Sequence, residues 1–284
     1  MISYTNGKDD IPMGKFDGLL LCTDLDDTLL TTDKRVSEEN SRAIEYFKSE
    51  GGFFTFVTGR VPMGARLILE YVHPNAPIVC FNGGAIYDFR DDKMLWSRSL
   101  DDEAIEVVEY IDNLFDFVGI EICTDDKIYF ARTNRVLLEH QMLERLPDNF
   151  LDYHDIPEKW KKVLFMAEAD ELGLIKDAIA ASPFADKYTF VQSSPWYYEL
   201  LPKNTSKGEG LMHLAELLNI DRSRTIGVGD NENDLMMIKM AGTGVAVANA
   251  IDAVKQAADY ITVDNNSHAI AAVIKAIENG EFTF

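Results

Sequence analysis

The sequence predicts an α/β protein: a doubly wound, Rossmann-like parallel sheet with a second, α+β domain inserted into it. Three observations carry this prediction. Short runs that are apolar throughout, Leu19-Leu20-Leu21-Cys22, Phe53-Phe54-Thr55-Phe56-Val57 and Ile78-Val79-Cys80-Phe81, alternate with stretches of helical periodicity. Strands of that kind belong to a parallel sheet covered on both faces. The same texture returns after residue 200. Between the two, from about Tyr87 to Tyr198, the segments are more polar and alternate, as in an antiparallel sheet with helices on one face.

The elements follow in order. Residues 1 to about 16 read as a loosely packed arm. The first strand runs into an acidic loop at Asp24. Ser37 then caps a helix that places Ala43, Ile44 and Phe47 on one face, and Gly51-Gly52 stops it. The second strand ends at Thr58-Gly59-Arg60, and a helix starts near Pro62, a residue suited to a first turn. The third strand ends at Asn82-Gly83-Gly84. With right-handed crossovers this order builds a doubly wound sheet, whose ligands bind beyond the carboxyl ends of the strands. In the middle segment, Leu100 to Leu114 and Ala169 to Ala181 read as helices. Lys127 to Ala131, Lys162 to Ala167 and Tyr188 to Val191 read as strands. Afterwards, Ser206 to Asn219 is a helix with Leu211, Leu214, Ala215 and Leu218 on one face, and Thr225 to Val228 is a strand ending at Gly229-Asp230. Asn231 to Ala241 is a helix stopped by Gly242, and Gly244 to Val247 and Tyr260 to Val263 are short strands. The expected division is a core of residues 1–86 and 199–284 and an inserted domain of residues 87–198.

Bulk properties exclude several classes. The formal net charge of -21 repels a phosphate backbone and an anionic membrane surface, so neither nucleic acid nor membrane is an expected partner. A small anion remains possible where a bound cation inverts the local potential. Cys22, Cys80 and Cys123 are odd in number and far apart, which suits packing thiols in a reducing compartment. The polar start lacks the apolar region of a signal peptide, and no run reaches membrane-spanning length, so the cytoplasm is expected. A monomer or a small homo-oligomer fits equally.

The chemistry starts at Asp24-Leu25-Asp26-Asp27-Thr28-Leu29-Leu30, where a buried strand ends in clustered acids. Like charges and desolvation make such a cluster costly, so it implies a cationic occupant; Mg²⁺ beside a phosphate suits its hard oxygens. Thr58, Lys207, Asp230, Asn233 and Asp234 lie at other strand or helix ends of the same sheet edge. Covalent phosphoryl transfer needs such a set. One carboxylate attacks phosphorus, a second acid serves the leaving oxygen and then water, and a hydroxyl and an ammonium hold the equatorial oxygens. Asp26, two residues after Asp24, can reach the leaving group while Asp24 faces phosphorus.

Asp24-Leu25-Asp26-x-Thr28, Thr58-Gly59-Arg60, Lys207-Gly208 and Gly229-Asp230-x-x-Asn233-Asp234 resemble the four ordered motifs of the haloacid dehalogenase (HAD) superfamily. Asn82-Gly83-Gly84-Ala85 and Tyr198-Glu199-Leu200 resemble the borders of the large type IIB cap in its Cof-type branch. The resemblance implies a HAD core and a phosphatase of small phosphorylated metabolites. It implies Asp24 as nucleophile and Asp26 as general acid and base. Thr58, Gly59, Lys207 and Asn233 would bind phosphate, and Mg²⁺ would sit on Asp24, the Asp26 backbone carbonyl and Asp230. Asp234 and Arg60 would support them. Asp27 stands where the family more often has Gly, and Ala248-Asn249-Ala250 where Gly-Asn-Ala is common.

Other residues carry plainer readings. Arg60 is either a surface arginine or a phosphate contact. Glu199 reads as a hinge residue of the inserted domain. Trp160, Trp196, Tyr197 and Tyr198 read mostly as core, and the histidines lack metal spacing. Two further functions use the same residues: a phosphomutase, in which a sugar hydroxyl captures the phosphoryl group, and a phospho-accepting switch without turnover. Asp26 and the inserted domain count against the switch.

Overall fold

The structure, a computed structural model, describes residues 14–284. The arm expected over residues 1 to about 16 falls largely outside them. At its described end Phe16 is buried, with its ring 4.8 Å from Phe47 and 5.6 Å from Tyr46.

Strand β1 (Leu20–Thr23) is followed by helix α1 (Glu38–Ser49), whose first turn is capped by the Ser37 side chain accepting from the Asn40 N–H. Then come β2 (Phe53–Phe56), the short α2 (Pro62–Arg66) with proline in its first turn, and β3 (Ile78–Cys80). The middle of the chain forms β4 (Ala85–Asp88), β5 (Lys93–Ser97), α3 (Ala104–Leu114), β6 (Gly119–Cys123), β7 (Ile128–Arg132) and α4 (Arg135–Glu144). It continues through β8 (Lys162–Met166), α5 (Ala169–Ala180), β9 (Thr189–Ser194) and β10 (Tyr197–Leu201). The last third runs through α6 (Lys207–Leu218), β11 (Thr225–Gly229), α7 (Leu235–Met240), β12 (Thr243–Ala246), α8 (Asp252–Ala257), β13 (Tyr260–Ile261) and α9 (Ala269–Glu278).

Five strands make a parallel sheet in the order β13-β12-β11-β1-β2. Its two faces bury separate apolar clusters, one around Leu21, Phe54 and Phe56, the other around Leu20, Cys22 and Leu211. This is the expected doubly wound core. The third strand departs from expectation. It touches the parallel sheet only through a bridge from Val57 to Val79 and instead pairs antiparallel with β4, which pairs with β5. The reason is chain length: only residues 81–84 separate β3 from β4, while a parallel return needs a crossover of about a dozen residues or more.

The inserted α+β cap is an antiparallel sheet in the order β7-β6-β8-β10-β9. Alternation along β8 sorts its two faces. Val163 and Phe165 pack beneath α3 and α5, while Leu164 and Met166 join the apolar cluster of the core. Charged Glu121 on β6 and Lys162 on β8 share the core-directed face and are buried.

One turn ties both layers to the site. Asn82 (φ 53°) and Gly83 (φ 97°) occupy the left-handed region. A Cβ on Gly83 would fall 1.9 Å from the Ser206 carbonyl, immediately before α6. Gly210 on the first turns of α6 would likewise place a Cβ 2.7 Å from the Gly83 Cα. Backbone therefore meets backbone where Lys207 begins its helix. Gly83→Ala is expected to cost about 2 kcal/mol or more in urea unfolding, because the turn cannot move away from Ser206 without displacing α6.

Candidate active site

The site grows from the carboxyl end of β1. The Asp24 N–H donates to the Val228 carbonyl (2.9 Å), which anchors Asp24 between the ends of β1 and β11. The chain then coils over residues 25–29 and buries Leu25, Thr28 and Leu29. Asp27 adopts φ 56°, a left-handed conformation that Asp tolerates and Gly prefers, which accounts for that departure from the family pattern.

Lys207, the first residue of α6, has no exposed surface, and its Nζ lies 2.7 Å from both Asp24 Oδ1 and Asp234 Oδ1. Burial works to discharge this lysine, but Asp234 and Asp24 outweigh it and raise its pKa. Asp234 is fully engaged, because its Oδ2 accepts from the backbone N–H groups of Asp230 (3.0 Å) and Asn231 (3.1 Å). Thr28 Oγ1 donates to Asp230 Oδ1 (2.8 Å). Carboxylate oxygens of Asp24, Asp230 and Asp234 lie within 4.8 Å of one another. Burial pushes the Asp24 carboxyl well above the usual range, and the neighbouring acids oppose the pull of Lys207. Burial and the charge of Asp234 push Asp230 up to about 7.

This donor set suits a hard divalent cation. Among the described residues, no hydrogen-bond donor reaches Oδ2 of Asp24 or of Asp230, so these two acids each keep an oxygen to offer.

Asp26 is held differently. Arg60 grips it with two bonds, Nε to Oδ2 (2.9 Å) and Nη2 to Oδ1 (3.0 Å), and Lys34 adds a third at 3.1 Å. Burial opposes the charge, yet Arg60 and then Lys34 hold its carboxyl down to about 2. The remaining arm of Arg60 reaches Glu144 Oε2 at the end of α4 in the cap (3.0 Å). Thr58 is buried, and its Oγ1 accepts from the Arg60 N–H (3.1 Å). The Gly59 carbonyl accepts from Lys162 Nζ (2.9 Å), and Asn233 Nδ2 donates to Asn82 Oδ1 (3.1 Å).

Asp24, Asp26, Thr58, Gly59, Arg60, Asp230 and Asn233 thus line one cavity of about 580 Å³ between core and cap, with Lys207 and Asp234 behind its wall. All nine residues singled out from the sequence converge there. Trp196 and Tyr197 line the same space, whereas Trp160 packs in the cap core and Tyr198 stacks on Phe190. The cap also contributes Glu121, His140, Glu144 and Lys162, which sequence reasoning passed over. A signal existed for two of them: a charge in the middle of Gly-Ile-Glu-Ile-Cys and another opening Lys-Val-Leu-Phe-Met, inside otherwise apolar strands.

Known proteins resemble this chain in sequence and in fold. The sequence profile of the haloacid dehalogenase-like hydrolases matches residues 21–274. The chain belongs to this family. A Streptococcus pyogenes serotype M6 relative is 32% identical over 263 residues, covering 90% of this chain and 97% of its own. The Bacillus subtilis protein YitU, named a 5-amino-6-(5-phospho-D-ribitylamino)uracil phosphatase, is 28% identical over 90% of this chain and 96% of its own. A haloacid dehalogenase-like hydrolase from Bacteroides thetaiotaomicron superposes with a TM-score of 0.77 at 27% identity, covering 91% of this chain and 99% of that one. The HAD motifs and the doubly wound core with its α+β cap are borne out, and the enzyme is a HAD-like phosphatase. No helix among the described residues is long and apolar enough to cross a membrane.

The crowding of acids yields a prediction with a definite sign. Asp230 binds its proton more tightly in the fold (about 7) than in an unfolded chain, so its ionised form costs stability at neutral pH, and that cost fades as pH falls from about 7 toward the ordinary carboxylate range. In chelator-treated protein, Asp230→Asn is therefore expected to raise the melting temperature at pH 8, by about 2–4 °C per kcal/mol of repulsion relieved. The same substitution is expected to abolish any rise in melting temperature that an added divalent cation gives the unaltered protein.

Proposed function

We propose that this HAD-family phosphatase is Mg²⁺-dependent and hydrolyses small phosphorylated metabolites through an aspartyl-phosphate on Asp24. We propose further that residues 1–86 and 199–284 form the catalytic core and residues 87–198 the specificity cap, in a cytoplasmic protein; the later border falls inside β10, so that Glu199 still lies in the cap sheet. One observation carries the reading: at the tip of β1 a fully buried lysine is held 2.7 Å from Asp24 and from Asp234. A structural ion pair needs one carboxylate; here Asp234 already neutralises Lys207, and Asp24 keeps a free oxygen toward the cavity residues.

The residues divide the work as follows. Asp24 attacks phosphorus, and the bond from phosphorus to the leaving oxygen breaks. Asp26 delivers a proton to that oxygen, then takes one from the water that attacks phosphorus, and Asp24 leaves as a carboxylate. Lys207 and the Thr58 hydroxyl hold the equatorial oxygens, with the Gly59 loop and Asn233 closing the cradle. Asp24, the Asp26 backbone carbonyl and Asp230 would hold a divalent cation, whose charge would offset the repulsion between the anionic nucleophile and the phosphate. Arg60 keeps Asp26 ionised while the site is empty, so Asp26 must release this partner and take up a proton from solvent as substrate binds before it can deliver one to the leaving oxygen. The proton it later takes from the attacking water restores it for the next turnover.

The cavity volume of about 580 Å³ admits a sugar phosphate or a phosphate ester of similar bulk. Hexose and pentose phosphates, and the 5-amino-6-(5-phospho-D-ribitylamino)uracil named for YitU, are the first substrates to assay with and without Mg²⁺.

Asp24→Asn is expected to lower phosphate release by about a thousandfold or more while leaving the melting temperature within a few degrees. Undiminished turnover in that variant removes Asp24 as nucleophile. Asp26→Asn is expected to stop turnover of alkyl phosphates but to spare inhibition by inorganic phosphate. Loss of that inhibition would assign Asp26 to binding instead.

A further inference from the structure

The cap holds a buried ion pair that the mechanism above does not use. Lys162, at the start of β8, is 4% exposed and Glu199, on β10, is 2% exposed. Lys162 Nζ lies 3.1 Å from Glu199 Oε2. A buried pair of this kind stabilises a fold no better than two apolar side chains of similar size, so its presence calls for another account.

Both members reach out of the cap and touch the core at the phosphate end of the cavity. Lys162 Nζ donates to the Gly59 carbonyl (2.9 Å). Glu199 Oε2 accepts from Asn82 Nδ2 (2.8 Å), while Ser193 Oγ donates to Glu199 Oε1. Asn82 is 1% exposed, and its side-chain oxygen accepts from Asn233 Nδ2 (3.1 Å). A Cβ on Gly59 would lie 3.0 Å from the Asn82 amide, so these two core residues are in contact as well. The result is an unbroken polar chain, Lys162 and Glu199 to Gly59 and Asn82 and on to Asn233. It starts in the cap sheet and ends on residues that the proposed function assigns to phosphate.

We propose that Lys162 and Glu199 are positioning residues: with the cap seated, they fix the Gly59 loop and the Asn233 amide at the spacing that a tetrahedral oxyanion requires. This rests on the phosphatase reading and deepens it. Lys162 orients the Gly59 peptide by holding its carbonyl. Glu199 selects the Asn82 amide orientation, with nitrogen toward the cap, and so leaves the Asn82 oxygen for Asn233. Affinity for the phosphate group then depends on two residues of the domain that otherwise deals with the leaving group. A core whose cap has swung away loses both holds at once, which couples phosphate capture to cap closure.

The experiment measures inhibition by inorganic phosphate at saturating Mg²⁺, with turnover of acetyl phosphate and glycerol phosphate alongside. Inorganic phosphate has no leaving group, so recognition of a leaving group cannot enter. The variants are Lys162→Met, Glu199→Gln, Asn82→Gly, which suits the left-handed backbone there, and the combined Lys162→Met/Glu199→Leu. Each single variant is expected to weaken phosphate inhibition about tenfold, the scale of one lost charged hydrogen bond. KM should rise by a similar factor for both substrates, with kcat moving less. Glu199→Gln combined with Asn82→Gly should be no weaker than either alone, because both break the same link. The apolar pair removes both charges of the bridge, leaves buried Glu121 with His140 as its partner, and is expected to melt near the unaltered protein while still binding phosphate weakly. Full phosphate affinity in the apolar pair overturns the proposal. Losses confined to one substrate with phosphate inhibition intact overturn it in favour of leaving-group recognition, and a loss seen only in Lys162→Met overturns it in favour of direct contact. An unaltered protein that neither binds phosphate nor releases it removes the phosphatase reading and this proposal with it, whereas an active one with unaffected variants removes this proposal alone.

Discussion

A lysine ammonium with no exposed surface lies 2.7 Å from each of two carboxylates, Asp24 and Asp234, and the cavity between core and cap is arranged around that triplet. A charge placed in such surroundings costs several kcal/mol unless its partners are close and fully hydrogen-bonded. Here the partners come from three elements. Asp24 ends β1, Asp234 precedes α7, and Lys207 opens α6. Each element must therefore stop within a fraction of an ångström of its place. Asp234 meets the requirement by accepting two backbone N–H groups besides the lysine, which leaves none of its oxygens unpaired. Gly83 meets it for Lys207 by letting the turn after β3 touch the carbonyl that precedes α6.

The cap is joined to this centre by charge as well as by apolar packing. Leu164 and Met166 share the apolar cluster of the core, which holds the two layers together without specifying their registration. Polar contacts supply the registration. Glu144 binds Arg60, which grips Asp26; Lys162 binds Gly59; Glu199 binds Asn82. All three contacts end on residues of the cavity wall or on a residue bonded to one. With eight acids among the lining residues of the cavity, the few cations there, Lys34, Arg60, Arg145 and Lys162, decide where an anion can settle.

Much of the core was legible because its signals are local. Ser37 before a helix, Pro62 in a first turn, Asn219 after α6 and the uniformly apolar β1, β2 and β11 each declare themselves within a few residues. The second sheet was less legible. β6 carries Glu121 at its centre, β5 is a half-buried edge strand, and α4 places Leu138, Met142 and Leu143 on its exposed side, so hydrophobic periodicity misleads in all three. α9 is a clear amphipathic helix that the sequence reading left unassigned although its pattern was present. The direction of β3 depended on a turn at Asn82-Gly83 whose left-handed geometry is easy to recognise only afterwards.

By itself the sequence determined the parallel core, the presence of an inserted α+β cap and the family, because strand texture and four motifs at strand and helix ends are written in runs of a few residues. Only the tertiary structure decided which partners each charged side chain takes. Asp26 faces Arg60, Asp234 serves Lys207, and Glu121, Lys162 and Glu199 turn toward the core rather than toward solvent. The physical reason is distance along the chain. A side chain's orientation depends on polar and charged groups brought beside it from far along the chain, more than a hundred residues away for Lys162 and Gly59 or Glu199 and Asn82, and no local pattern records that encounter.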